Sequence, residues 1–237
     1  MAGAVAVDRV LVSILLGLTA VTGVVDAVSF LALGLFTANM TGNVVLLGFA
    51  VAATPGLSVP RSATALAMFF AGGLAGGRIA ACMRPGPLHR WTGLAFGLEA
   101  ALLLTAMVLA AGHHSVRPVD SIHIYVIIGL AALAMGLRSV TVRQLGIAEL
   151  STVVLTLTIA DLARGWAAGA ARDPRWATRI ASVATMFAGA ALGALLARES
   201  LALPFAVAGG AAGTCAVASF LALRGRWAAE TGPAPAR

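Results

Sequence analysis

Charge is scarce in this chain of 237 residues, and lysine is missing altogether. Charged residues make up 11% and apolar residues 60%, against about 25% and about 45–50% in soluble domains. No hydrophilic stretch in the chain is long enough to fold by itself, so a single domain is expected. The 16 basic residues are all arginines, and the formal net charge is +7. In a soluble protein that excess would suggest nucleic acid. Here the arginines sit in short loops between apolar runs, where they set membrane orientation, and no nucleic-acid partner is expected. Cysteine is scarce too. Cys82 and Cys215 lie in or beside apolar runs, too far apart to make a metal or redox motif. The patterns H-E-x-x-H, C-x-x-C, G-x-S-x-G and the P-loop are absent, so hydrolytic and nucleotide chemistry lack a carrier. We expect neither an enzyme nor a metal or cofactor.

What the chain does have is apolar length. Several runs reach the roughly 18 residues that argue for a spanning helix. The pattern predicts an all-α polytopic membrane protein of one integral domain, its main partner the lipid bilayer. Arg9 ahead of an apolar run imitates a signal peptide. That run is longer than a signal h-region of about 7–15 residues, so we expect it to be retained. Predicted spans cover Val10–Leu33, Ser62–Met83, Trp91–Gly112, Ser121–Leu137, Ile180–Ala197 and Leu201–Leu223. Two further apolar pieces are short. Val44–Ala53 has ten residues and Leu150–Ala160 eleven, roughly 15 Å of helix each at 1.5 Å per residue. The tail 225–237 contains proline and is expected to be disordered.

The stretch from Gly23 to Gly48 organises the rest. Asp26 is the one ionisable group between Val10 and Ala38, and an aspartate at mid-helix depth costs about 2.5–3.5 kcal/mol on insertion scales. Beyond it, Asn39-Met40-Thr41-Gly42-Asn43 is a polar, turn-forming cluster between apolar segments. Non-helical backbone at membrane depth is tolerated only where protein buries it or a cavity solvates it. A buried acid followed by a broken helix supplies oxygen ligands near exposed helix termini, which suits a small polar solute, a cation or a proton. The alternative is structural: Asp26 caps or pairs within the bundle, and the cluster makes a tight turn. The Asn39-Met40-Thr41 match to a glycosylation sequon is read as chance in this apolar setting. Glu99 lies inside its span and is expected to face protein and pair with an arginine. His123 starts a span and is read as interfacial.

The second half repeats the first. Gly23-Val-Val-Asp-Ala-Val aligns with Gly136-Leu-Arg-Ser-Val-Thr at an offset of 113, and Phe70-Ala-Gly-Gly-Leu-Ala-Gly with Phe187-Ala-Gly-Ala-Ala-Leu-Gly at 117. Gly93-x-x-x-Gly97 aligns with Gly209-x-x-x-Gly213 at 116. These alignments predict homologous halves, about 10–112 and 121–224. Gly72, Gly76, Gly189 and Gly193 are then small-residue seams that let helices approach closely. Thr152, Thr156 and Thr158 occupy the corresponding place in the second half, where they are read as bonding to backbone within a helix, with lining a site as the alternative.

Whether the short segments cross decides the topology. If both cross, there are eight spans, with ten arginines in inner loops and five in outer ones. If both are re-entrant, six spans make inverted halves with twelve inside and three outside. The positive-inside rule prefers six, with both termini and the Arg84–Arg90 loop cytoplasmic. In that arrangement Asp26 and Arg138 approach each other near the centre as an ion pair. Otherwise Arg138 snorkels to the surface and Asp26 bonds to Asn39 or Thr41.

At these residues the chain resembles the YoaK family of small bacterial inner-membrane proteins. The likeness rests on Gly23-x-x-Asp26-Ala27-x-Ser29-Phe30-Leu31-x-Leu33-Gly34 and on Ala38-Asn39-Met40-Thr41-Gly42-Asn43-Val44. The order of later segments extends it over nearly the whole chain. Where the family shows Gly-x-Gln-Asn-Ala ahead of an arginine, this chain reads Gly136-Leu137-Arg138-Ser139-Val140 and keeps Arg143. The resemblance implies an inner-membrane location and this architecture, and no substrate. The expected function is a small-solute or ion transporter or channel. Its candidate site is Asp26, Asn39, Thr41, Asn43, Arg138 and Ser139, and a homodimer is expected. The alternative is a non-transporting scaffold or stress-related factor whose polar residues only hold helices together.

Overall fold

The computed structural model describes residues 9–83, 86–111, 121–145, 159–160, 163 and 176–231. The chain forms α1 (Arg9–Val28), which runs on as a π-helical turn over Ser29–Leu33, then a short α2 (Met40–Val51). After these come α3 (Val59–Met83), α4 (Leu88–Ala110), α5 (Ile122–Gln144), α6 (Trp176–Glu199) and α7 (Ala202–Thr231). Among the described residues six helices are long and apolar enough to cross a bilayer, counting α1 with its π turn as one. The protein is thus an all-α polytopic membrane protein with a shorter apolar helix inserted after the first span.

Two boundaries differ by more than four residues from the sequence reading. α5 does not stop at Leu137 but continues to Gln144, so Arg138 lies inside a span and not in a loop. It can do so because other side chains and a carbonyl accept its guanidinium there. The tail does not become irregular at 225, since α7 runs to Thr231 through a stretch rich in good helix formers. The second short segment, Leu150–Ala160, falls outside the described residues except for Ile159 and Ala160, as do Thr152, Thr156 and Thr158.

Glycines show how the helices run. A Cβ on Gly72 would collide with the Leu133 carbonyl, and one on Gly76 would stand 2.8 Å from the Leu137 carbonyl, so α3 and α5 are parallel and nearly touch. Gly189 meets the Ala20 carbonyl and Gly193 the Val24 carbonyl in the same way, so α1 and α6 are parallel. α4 and α7 are antiparallel: Gly93 faces Phe220 while Gly209 faces Leu104. Close backbone approach matters here because lipid tails are as apolar as leucine, leaving packing to hold helices together. α1 and α5 are the most buried spans, and α3 and α6 present exposed Phe70 and Phe187 outward.

The end of α1 and the start of α3 lie on one face. Arg61 donates to the Leu33 carbonyl at 3.2 Å, and Gly34 sits against the Gly56 carbonyl. The segment 34–58, α2 included, therefore leaves and returns on the same side, which is the six-span order for this half. α3 ends at Met83 and α4 begins at Leu88, with the Gly86 N–H donating to the Met83 carbonyl at 2.8 Å. Since α5 is parallel to α3, α1 and α5 point in opposite directions.

Candidate functional site

The break after α1 is built by its own side chains. The π turn leaves Ser29 and Leu33 buried and ends at Gly34, whose φ of +72° is left-handed backbone that glycine adopts without strain. The chain then doubles back. One carboxylate oxygen of Asp26, Oδ1, accepts hydrogen bonds from the backbone N–H of Thr37 (3.0 Å) and of Ala38 (2.8 Å). Ser29 and Thr37 hydroxyls meet at 3.1 Å, and the Phe30 and Phe36 rings stack with centroids 4.9 Å apart. Asn43, fully buried, accepts from the Phe36 N–H at 2.8 Å and donates to the Phe36 carbonyl. Asn39 starts α2 as an N-cap, its side-chain oxygen accepting from the Gly42 N–H at 3.1 Å. This cap pulls Thr41, Gly42 and Asn43 into the first turn of a helix that begins at Met40, four residues before the apolar segment read from sequence. The N–H groups of Gly34 through Ala38, freed by the break, thus find partners, as backbone at membrane depth requires.

Beside this break lies a cavity of about 1020 Å³. α1 contributes Thr22 and Asp26, the break Phe30 and Asn39, α2 Thr41, α3 Phe69, α5 Ser139 and Arg143, and α6 Met186. Four of the six candidate polar residues therefore come together: Asp26, Asn39, Thr41 and Ser139. Asn43 does not join them, because its side chain is consumed by Phe36. Arg143 does line the cavity and is exposed there. The retained arginine in the family-like segment was its signal in the sequence.

Arg138 does not pair with Asp26, and it does not snorkel. It is 4% exposed, and its Nη1 lies 3.2 Å from Oε1 of Glu99, a carboxylate with no exposure at all. Nη1 also donates to the Leu18 carbonyl at 2.6 Å, Nη2 to the Thr22 hydroxyl at 2.8 Å, and the Met135 sulfur is a further neighbour. One helical position is about 100° of rotation, so with Ser139 on the cavity, Arg138 points past α1 to α4. The arginine partner expected for Glu99 is therefore Arg138. His123 is exposed at the start of α5. Among the described residues no three His, Cys, Asp or Glu side chains gather to hold a metal.

The chain's residues 14–221 match the family described as "Protein of unknown function (DUF1275)". The chain belongs to the DUF1275 family. One curated relative is the UPF0700 transmembrane protein YoaK of Bacillus subtilis (strain 168), 37% identical over 153 residues. The match covers 62% of this chain and 63% of the relative, so the chain spans less than two thirds of the YoaK length. No solved structure matches the chain. The α1 break and its cavity lie within the part of the chain that matches DUF1275.

Proposed function

We propose that this DUF1275 protein is a transporter or channel for a small polar solute or ion in the bacterial inner membrane, with its site in the cavity beside the α1 break. The observation that carries the reading is where the cavity lies. Contacts of α3 with α5 recur between α6 and α1 at the offsets read from sequence. Gly72 against Leu133 corresponds to Gly189 against Ala20, and Gly76 against Leu137 to Gly193 against Val24. Gly136 against Phe69 likewise corresponds to Gly23 against Met186. These equivalences support homologous halves of opposite orientation, 10–112 and 121–224. Asp26 with Ser139, Phe30 with Arg143 and Phe69 with Met186 are equivalent pairs, and all six line the cavity. Inverted-repeat transporters hold substrate at the repeat interface, next to discontinuous helices.

With Arg138 removed from the loops, the six-span count becomes eleven arginines inside and three outside. That asymmetry supports cytoplasmic termini. A second reading, a non-transporting scaffold, draws on the use of Asp26 and Asn43 to hold the break together.

A thermal-shift screen of the purified protein against ions and small metabolites tests the two readings. On the transport reading a solute class raises Tm, and Ser139→Leu, which fills the cavity wall, abolishes that rise while leaving the unliganded Tm in place. A screen with no stabilising solute, together with an unchanged Ser139→Leu protein, would favour the scaffold.

A further inference from the structure

Three charged side chains are buried together at the centre of the bundle: Asp26 at 5% exposure, Glu99 at 0% and Arg138 at 4%. Arg138 touches Glu99, and its other amine bonds to Thr22, one helical turn before Asp26 on α1. Two carboxylates and one guanidinium leave a net charge of −1, and an uncompensated charge at such depth is costly. The other titratable groups around α4 do not cancel it. On α7, the Cys215 thiol donates to the Ile14 carbonyl at 3.7 Å and brings no positive charge. On α3, Arg61 binds the Leu33 carbonyl at the far end of the helix, and Arg78 and Cys82 are exposed. On α4 itself, His89 is ten residues from Glu99, about 15 Å along the helix. On α5, Arg143 lines the cavity but is exposed near the end of its helix, so among the described residues the buried cluster lacks one positive charge.

We infer that Glu99 is a proton-binding site that supplies this charge. Hydrogen bonding chooses between the carboxylates. Asp26 accepts two backbone N–H bonds, which favour its ionised form, whereas neither oxygen of Glu99 accepts a hydrogen bond among the described residues. Its contact with Arg138 is a charge contact at 3.2 Å, and that arginine is held independently by Leu18, Thr22 and Met135. A proton from bulk solvent forms an O–H bond on Glu99 and takes the cluster from −1 to zero, with Arg138 still anchored. Thr22 lines the cavity and bonds to Arg138, so the proton site and the cavity share one guanidinium. Protonating Glu99 leaves Arg138 to act on Asp26 and on whatever occupies the cavity, which couples proton uptake to solute binding. That coupling rests on the transport reading above; the proton site does not.

Infrared difference spectra of the full-length protein in lipid vesicles, recorded across a pH series in H2O and D2O, test the proton site. The expected result is a protonated-carboxyl C=O band that is lost in Glu99→Gln and kept in Asp26→Asn. A band that survives Glu99→Gln and disappears in Asp26→Asn would move the proton to Asp26 and overturn the inference, as would the absence of such a band at every pH. Glutamine mimics the protonated acid, so Glu99→Gln is expected to fold with wild-type Tm; failure to fold would count against a neutral residue here. For coupling, solute affinity should change by up to about tenfold per pH unit in the wild type and be pH-independent in Glu99→Gln. A band without any stabilising solute removes the transport reading and leaves the proton site. A stabilising solute without the band does the reverse.

Discussion

Placing a single methyl group on Gly72 is the sharpest perturbation this fold offers. The added Cβ would lie inside contact distance of the Leu133 carbonyl oxygen, carbon and Cα, all backbone atoms that no rotamer change can move. α3 and α5 must separate, giving up contacts with Gly76 and Gly136 as well, or the backbone must distort. Overpacking of this kind costs typically about 1–3 kcal/mol. Alanine is also a better helix former than glycine by about 1 kcal/mol, and that gain must be cancelled with a reference. Gly97 provides one, because it is helical and exposed and a Cβ there would meet nothing within 4 Å. Gly72→Ala is therefore expected to be less stable than Gly97→Ala by about 1–3 kcal/mol. Thermal unfolding of both variants in the same detergent measures the difference. Gly189→Ala, which meets the Ala20 carbonyl, should fall with Gly72→Ala. If Gly72→Ala and Gly97→Ala melt alike, the helices are not held by close backbone approach, and the packing argument fails.

Asn43→Ala removes the partners of both the Phe36 N–H and the Phe36 carbonyl and should cost about 1–3 kcal/mol for each group left buried and unpaired, read as a lower Tm. Asp26→Asn keeps a carbonyl oxygen for the Thr37 and Ala38 N–H groups, so it should melt well above Asp26→Ala; equal losses would mean that the charge and not the cap matters. For topology, single cysteines at Ser58 and Leu88 in a background lacking Cys82 and Cys215 should react differently with an impermeant thiol reagent. Ser58 is expected to label from outside and Leu88 to be protected; the reverse pattern would invert the proposed orientation, and labelling of both would break the six-span order.

Much of this protein was legible in residue order because membrane insertion depends on local quantities. Apolar length, the position of Gly34, the isolated Asp26 and the Asn39–Asn43 cluster each report on their own segment. They located the first span and the break that follows it. The spacing of Gly72, Gly76, Gly189 and Gly193 likewise marked faces where backbones meet, since no side chain stands in the way. Glu99 and its need for an arginine were also readable from the energetics of a charge in an apolar run.

The partner of each charge was not readable, and that required the tertiary structure. Whether Arg138 meets Asp26 or Glu99 depends on the rotation of α5 about its axis, and one residue of helix turns a side chain by about 100°. α5 also extends past Leu137 because Thr22, the Leu18 carbonyl and Glu99 converge on Arg138 from other helices. Asn43 leaves the cavity for the same kind of reason: its partner is a peptide group seven residues back, exposed by a turn that hydropathy does not describe. Sequence determined what each segment is, because a bilayer tests segments one at a time; only packing decided which polar groups face one another, because that depends on the rotation and crossing of helices far apart in the chain.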